Sequence, residues 1–339
     1  MEEPEISVLI FAHDRKEYLK KAIVSVLNQT LDRSKYEIIV IKNFEDDAID
    51  QLIEKNSIKS ILVENTTYGD DIVTGIRKSK GKIISFLEDD DYYSEDKLEV
   101  VLNKFTENKK LGYFHHAEYV MDSSGKVLSK QKVREDYTID LKFRIDSVAQ
   151  SDLRKLILAR GNGNPSMMAV RKSVLDGILE YLQGNSSPPE YFISYSAIDS
   201  GFDVNITSTK LTFYRVHNSN SLSLKIDQKS FQKWFNQSNQ IMYEVFVQLR
   251  ELVKSKTLLK MVDIDLSSFR TILYIFGNET GNKPNIVDKG RFVRARFIHN
   301  KFPNFLPAVL LAITWLVMPW AARKFYYGLH KRMIASIDS

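Results

Sequence analysis

Short strand-like runs at 6–11, 38–41, 59–63 and 82–87, each followed by a stretch of helical periodicity, leave this chain few folds to choose from. After the first run Leu19, Ala22, Ile23, Val26 and Leu27 recur at i, i+3, i+4, i+7 and i+8, one face of a helix. Helical stretches near 46–55 and 69–79 follow the second and third runs. After the fourth, Leu98, Val101, Leu102 and Phe105 form a buried stripe, with Ser94 as the expected N-cap and Glu95 and Asp96 in the first turn. Strands this apolar, alternating with helices, predict an α/β fold whose sheet is mostly parallel and covered by helices on both faces. Ligands bind such sheets outside the carboxyl ends of the strands, so the loops after the first, second and fourth runs are where chemistry is expected.

Beyond residue 110 the rhythm changes. Tyr113–Val120 and Lys126–Ser129 flank a hairpin-like turn, Asp122-Ser123-Ser124-Gly125. The pattern then predicts a helix near 147–159, a Gly161-Asn162-Gly163-Asn164-Pro165 loop, a strand near 166–170 and a helix near 171–183. A helix near 190–200, strands near 203–207 and 210–216 and one long helix over 228–255 complete it. We divide the chain into a body, 1–225, a helical connector, 226–300, and a tail, 301–339.

Charge separates the same regions. Residues 281–339 hold ten Lys and Arg against Asp288 and Asp338, a net +8, which leaves −3 for the rest of a chain whose total is +5. A surplus that small in total gives no sign of a nucleic-acid partner. With no Cys there is no disulfide, thiolate zinc site or Cys nucleophile, and a cytosol-facing fold is the default. Glu2, Glu3 and Glu5 stand where a secretory signal would be basic and then apolar.

The chemistry centres on Glu88-Asp89-Asp90-Asp91, directly after the apolar run Ile83–Leu87. Four consecutive carboxylates repel one another, so an ordered cluster at a strand end calls for a cation, and oxygen ligands suit Mg²⁺ or Mn²⁺. A solvated acidic turn before the next helix is the plainer alternative.

At this point the sequence resembles the inverting nucleotide-sugar glycosyltransferases of family 2, which have the GT-A fold. Ser7-Val8-Leu9-Ile10-Phe11-Ala12-His13-Asp14-Arg15 is similar to that family's opening S-V-I-I-P-T-Y-N-R. Ala22-Ile23-Val24-Ser25-Val26-Leu27-Asn28-Gln29-Thr30 matches its A-x-x-S-V-L-N-Q-T. Phe86-Leu87-Glu88-Asp89-Asp90-Asp91 resembles F-L-D-D-D-D, and Tyr214-Arg215-Val216-His217 with Ser221-Leu222-Ser223 resembles Y-R-x-H and S-L-S. The resemblance covers roughly residues 5–225. It implies that Glu88 stands near the ribose of a nucleoside-diphosphate sugar and that Asp90 binds a divalent metal on the diphosphate, with Asp89 or Asp91 assisting. It implies a metal-proximal role for His217, beside the alternative of a plain surface histidine.

The family's catalytic base lies on a helix eleven residues before a Gly. Counting back from Gly201 gives Glu190, within Pro-Glu-Tyr-Phe where the family has Glu-Asp-Tyr-Asp. A helix-start Glu is the alternative reading, and Asp199 is a weaker substitute. The donor pocket departs further. Lys42-Asn43 replaces the family's paired acids and Ile72 its Arg, leaving Ala12, Asp14 and Asn43 as positional candidates for donor binding. Gly161–Pro165 falls where the family has an acceptor-side loop, although a plain turn explains it equally.

Phe302 to Ala322 is uncharged, yet only eleven residues separate Pro307 from Pro319, too few to cross a core about 30 Å thick unbroken. Basic flanks on both sides and Trp315, Trp320, Tyr326 and Tyr327 suit the membrane interface, at the cytoplasmic face of the cell membrane. A buried core helix and a tilted single span are the alternatives. Together these features predict a membrane-associated, metal-assisted transferase acting on a lipid-linked or surface-glycan acceptor, or a polyprenyl-phosphate sugar synthase. A non-catalytic glycan-binding scaffold retaining the fold is the reading from another class, motivated by Lys42 and Ile72.

Overall fold

The computed structural model describes residues 3–128, 139–141, 150–158, 161, 163–216, 228–276, 283–299 and 305–318. In chain order the first elements are β1 (Ile6–Ala12), α1 (Leu19–Leu27), β2 (Tyr36–Lys42), α2 (Asp47–Lys55), β3 (Lys59–Leu62), α3 (Tyr68–Lys78), β4 (Ile83–Glu88), β5 (Tyr92–Tyr93) and α4 (Lys97–Glu107). Then come β6 (Leu111–Met121), β7 (Ile139–Leu141), α5 (Gln150–Leu158), β8 (Met168–Arg171), α6 (Lys172–Leu175), α7 (Leu179–Leu182), α8 (Pro189–Asp199) and β9 (Asp203–Arg215). Helices α9 (Gln228–Leu252), α10 (Lys256–Ile275), α11 (Ile286–His299) and α12 (Phe305–Val317) finish the chain.

Contacts divide it into two compact units, one within 1–147 and 159–216, the other within 148–158 and 217–339. The boundary expected at 225 falls among residues 217–227, outside the described residues.

The first unit is built on one sheet of strand order β3-β2-β1-β4-β8-β6-β9-β5, with β7 paired to β9. β1, β2, β3 and β4 are parallel throughout, Val8 facing Ile38 on one side and Ser85 on the other. Beyond β4 the sheet is mixed: β8 is antiparallel to both β4 and β6, while β6 and β9 run parallel. β1, β2 and β4 read as continuous apolar runs because both faces are covered, and every residue of β1 is buried, whereas β3 at the sheet edge is mostly exposed. Leu19, Ala22, Ile23 and Val26 bury the face of α1 that the periodicity marked, in one core with Val8, Ile10, Val40 and Leu98.

Local chemistry sets where the helices begin. Thr67 and Asp70 form a reciprocal capping box at the start of α3. Ser94 is not the N-cap of α4, which starts at Lys97 with Asp96 in that position. Ser94 still belongs to the sheet edge, its N and Oγ both donating to Leu211 O at 3.0 and 3.2 Å. The helix expected over 171–183 is broken into α6, a 3₁₀ turn at Asp176–Ile178 and α7. The strands expected at 203–207 and 210–216 are one strand, β9, whose register against β6 shifts where Ile206 gives way to Lys210. There Thr209 N donates to Thr207 Oγ1 at 3.1 Å, a local turn within the strand. Gly69, in the first turn of α3, approaches the segment after α7 so closely that a Cβ there would lie 1.9 Å from Leu182 O.

In the second unit the helix expected over 228–255 ends at Leu252, and Ser255 caps α10. Phe235, Ile275, Phe276, Phe292, Ala312 and Trp315 share a core, with the Phe276 and Trp315 rings edge to face at 5.8 Å. Of the uncharged tail, α12 is the described part. Pro307 sits in its first turn, where a missing N–H costs nothing. Ala312 and Trp315 are buried, whereas Leu310, Ile313, Val317 and Met318 are exposed. Among the described residues no helix is long and apolar enough to cross a membrane.

Candidate active site

The carboxyl ends of β1 and β4 lie side by side, with Phe11 opposite Glu88 in register and Asp89 N donating to Phe11 O at 3.0 Å. The acidic cluster is therefore anchored to the sheet. Ser166 Oγ accepts from Glu88 N at 3.0 Å, and the Glu88 carboxylate accepts from Tyr68 OH at 3.1 Å. Asp91 Oδ1 accepts from Arg215 N at 3.0 Å, and Arg215 Nε donates to Asp90 O at 2.9 Å. Arg15, on the loop after β1, forks onto the Asp89 carboxylate and reaches Asp90 Oδ2 with Nη1 at 2.8 Å.

Beneath the cluster Lys97 is fully buried, donating from Nζ to Ser166 O at 2.7 Å and to Thr212 Oγ1 at 3.1 Å, and lying 3.4 Å from the centroid of the Tyr93 ring. Burial drives this amine well below its ordinary range, against the pull of Asp91.

Burial first, and neighbouring carboxylates second, favour the protonated forms of Glu88, Asp89 and Asp91. Burial lifts Glu88 well above the carboxylate range, and Asp90, Asp91 and Glu190 add to it. Asp89 is raised to about 6 by burial, with Arg15 opposing. Asp91 reaches about 7, through burial and then Asp90. Burial works against the Arg15 charge, but Asp90 and Asp89 outweigh it and hold the guanidinium more firmly protonated.

Glu88, Asp90 and Asp91 each present a carboxylate oxygen, all within 4.8 Å of one another. Asp91 Oδ2 is buried without a hydrogen-bond partner. An orphaned buried oxygen among three converging carboxylates fits a hard divalent cation, whose charge would offset the repulsion among them.

Glu190 is in the first turn of α8, after Pro188 and Pro189. Its charge acts on both Glu88 and Tyr68, so the structure brings it to the acidic cluster. Burial raises its own carboxyl to about 7. Asp199 ends the same helix, about 13 Å further along its axis.

A cleft of about 370 Å³ opens beside the cluster, bordered by Ala12, His13, Arg15, Thr66, Tyr68, Asp71 and Glu88 among others. Ala12 is one of its lining residues. Asp14 and Asn43 instead pair with each other: Asn43 Oδ1 accepts from Asp14 N at 2.9 Å and Asn43 Nδ2 donates to Asp14 Oδ1 at 2.8 Å. This pairing holds Asp14 at φ +57°, a left-handed conformation. Lys42 is 3% exposed and points away to Asp50 at 2.9 Å and Phe44 O at 2.6 Å.

His217 and Asn162 lie outside the described residues. The rest of the Gly161–Pro165 loop supports the cluster. Gly161 O and Gly163 O bond the Tyr113 hydroxyl and the His115 ring, and Asn164 Oδ1 accepts from Ser166 N at 2.8 Å.

Arg15, Tyr68, Ser166, Lys97 and Arg215 were not singled out from sequence. Arg15 and Arg215 stand inside the motifs quoted above, and Lys97 is a cation within a buried helical stripe. Tyr68 and Ser166 carry no comparable signal.

Residues 7–175 match the sequence profile of glycosyl transferase family 2, and the chain belongs to that family. An uncharacterized glycosyltransferase of Nostoc sp. is 29% identical over 184 residues, 51% of this chain and 53% of its own length. The match thus spans about half of that relative. Among solved structures, S. aureus TarS 1-349 in complex with UDP-GlcNAc aligns over 93% of this chain and 84% of its own, at 13% identity and a TM-score of 0.54. The mannosyltransferase PcManGT from Pyrobaculum calidifontis, in complex with GDP-Man and Mn²⁺, aligns over 99% of this chain and 86% of its own, at 11% identity and a TM-score of 0.52. At those identities the likeness is one of fold.

Proposed function

We propose that this protein transfers a sugar, with inversion, from a nucleoside-diphosphate donor to a lipid-linked or surface-glycan acceptor. The observation that carries the reading is the convergence of Glu88, Asp90 and Asp91, beside a cleft that Glu88 and Asp89 border and within the electrostatic reach of Glu190. TarS was solved with UDP-GlcNAc and PcManGT with GDP-Man and Mn²⁺, donors and a cation of the kind proposed.

In a one-step displacement the acceptor oxygen bonds the anomeric carbon as the bond to the diphosphate breaks. Glu190 takes the acceptor's hydroxyl proton, a role suited to a carboxyl raised to about 7. Glu88 and Tyr68 border the ribose, and Arg15 leaves Asp89 and Asp90 to face the diphosphate. Asp90, with Asp91 and Glu88, would hold Mg²⁺ or Mn²⁺, which when bound supplies positive charge to the departing diphosphate. His217 is retained as a further ligand candidate.

The membrane reading rests on α12. Its exposed residues Leu310, Ile313 and Val317, with Met318 just after it, and the net +8 of the surrounding 281–339 segment suit an anionic lipid surface at the cytoplasmic face of the cell membrane.

The deciding experiment is a panel of nucleotide sugars, with and without Mn²⁺, followed by product and by thermal shift. Turnover of one donor supports the transferase. Neither turnover nor donor-dependent stabilisation would favour the scaffold instead.

A further inference from the structure

We propose that Asp71 reads the imide edge of the donor's nucleobase, so that the cleft accepts uridine or guanosine diphosphates and rejects cytidine and adenosine diphosphates. This rests on the donor reading above and names the donor class. The acids that hold the nucleobase in the resembling family are replaced here, and both replacements already have partners. Lys42 is buried and committed to Asp50 and Phe44 O, while Asn43 is paired with Asp14 through its oxygen and one N–H.

The cleft nevertheless contains a second buried carboxylate. Asp71 borders it from the first turn of α3 and is only 4% exposed. Its Oδ1 accepts from Thr66 Oγ1 at 2.6 Å, and its Oδ2 faces His13 Nδ1 at 3.7 Å, beyond hydrogen-bond distance. A carboxylate offers about four acceptor sites, and one withdrawn from water is costly until they are filled. Asp71 therefore favours a ligand that brings a hydrogen-bond donor.

That ligand group is not the diphosphate, which a carboxylate repels and which Arg15 and the cation-binding cluster, bordering the same cleft, attract. Uncharged donors are left, the hydroxyls of the donor and the N–H groups of its nucleobase, and with Glu88 and Tyr68 assigned to the ribose we give Asp71 the nucleobase. Uracil N3 and guanine N1 carry a hydrogen between or beside carbonyls, and the half-exposed His13 ring can donate to one of them. In cytosine and adenine the equivalent ring nitrogen carries a lone pair, which would meet the lone pairs of Asp71. A site that leaves a buried acceptor unpaired discriminates strongly.

The test uses the full chain with Mn²⁺ held constant and measures binding of UDP, GDP, CDP and ADP by calorimetry and thermal shift. UDP or GDP is expected to bind about 100-fold more tightly than CDP and ADP. In Asp71→Asn the side-chain amide can donate to cytosine N3, so the ratio of UDP to CDP affinity should fall at least about tenfold. Its melting temperature without nucleotide reports whether the variant is folded, and the wild-type panel stands without it. Equal affinity for UDP and CDP in the wild type, or unchanged discrimination in folded Asp71→Asn, would overturn the assignment while leaving the transferase reading intact. Binding of no nucleotide at all would overturn both.

Discussion

Replacing Glu190 with Gln separates the catalytic reading from a structural one, because the two predict opposite changes. Burial lifts this carboxyl from 4.5 to about 7, so holding it ionised inside the fold costs roughly 3 kcal/mol. The unfolded chain loses the proton first. Stability is therefore untaxed below pH 4.5, falls as pH rises to about 7, and is flat above that. Gln carries no such cost, so Glu190→Gln should match the wild type near pH 4 and be more stable at pH 8, by up to about 3 kcal/mol. Turnover should move the other way. A base with a pKa of about 7 is roughly one tenth ionised at pH 6 and nine tenths at pH 8, so wild-type kcat/KM should rise about tenfold across that interval. Glu190→Gln should lower turnover by about 10²- to 10⁴-fold and erase the rise. Denaturant melts at the two pH values and a pH–rate profile read both effects. A variant with wild-type turnover, or one less stable than wild type at pH 8, would refute the assignment of a strained, functional carboxylate.

The other expectations are simpler. Asp90→Asn should abolish Mn²⁺-dependent turnover yet leave the circular dichroism spectrum and melting temperature near the wild type; normal turnover would remove Asp90 from the metal site. Gly69→Ala should cost at least about 2 kcal/mol in a denaturant melt, since the added Cβ meets a backbone oxygen that cannot swing aside. Ending the chain after residue 280 removes the basic tail together with Phe292, Ala312 and Trp315 of the second unit's core. The truncated chain should therefore lose the cooperative melt of that unit. Changing only Leu310, Ile313 and Val317 to Ser should keep the melt while reducing sedimentation with anionic vesicles, and unchanged sedimentation would end the membrane reading of this face.

The parts of the fold that could be read directly are those in which a residue's environment follows from its near neighbours. β1, β2 and β4 are buried on both faces, so their apolar runs identify them, and α1 shows its stripe because one face packs on the sheet. The acidic cluster was legible for the same reason, as it directly follows such a strand. Ser94 misled because its partner, Leu211, is 117 residues away and holds it in the sheet edge before the helix can begin. Nothing local distinguishes it from a cap. The break within 171–183 and the continuity of β9 likewise depend on what those segments pack against.

The same distinction explains the donor pocket. Comparing motifs position by position finds the acids missing at Lys42 and Asn43, and on that basis a lost function is a reasonable conclusion. A pocket, however, needs an acceptor in the right place in space, and the element that supplies it is not fixed. Asp71 stands in α3, 28 residues beyond Asn43, with Thr66 and His13 turned toward its carboxylate and both bordering the same cleft. The buried charge of Lys42 also has a structural explanation, since Asp50 of α2 neutralises it where a free carboxylate at that position would face Asp50 as a like charge. The exchange at the end of β2 is thus internally consistent. It weakens the case for a decayed site and directs the search for base specificity to α3.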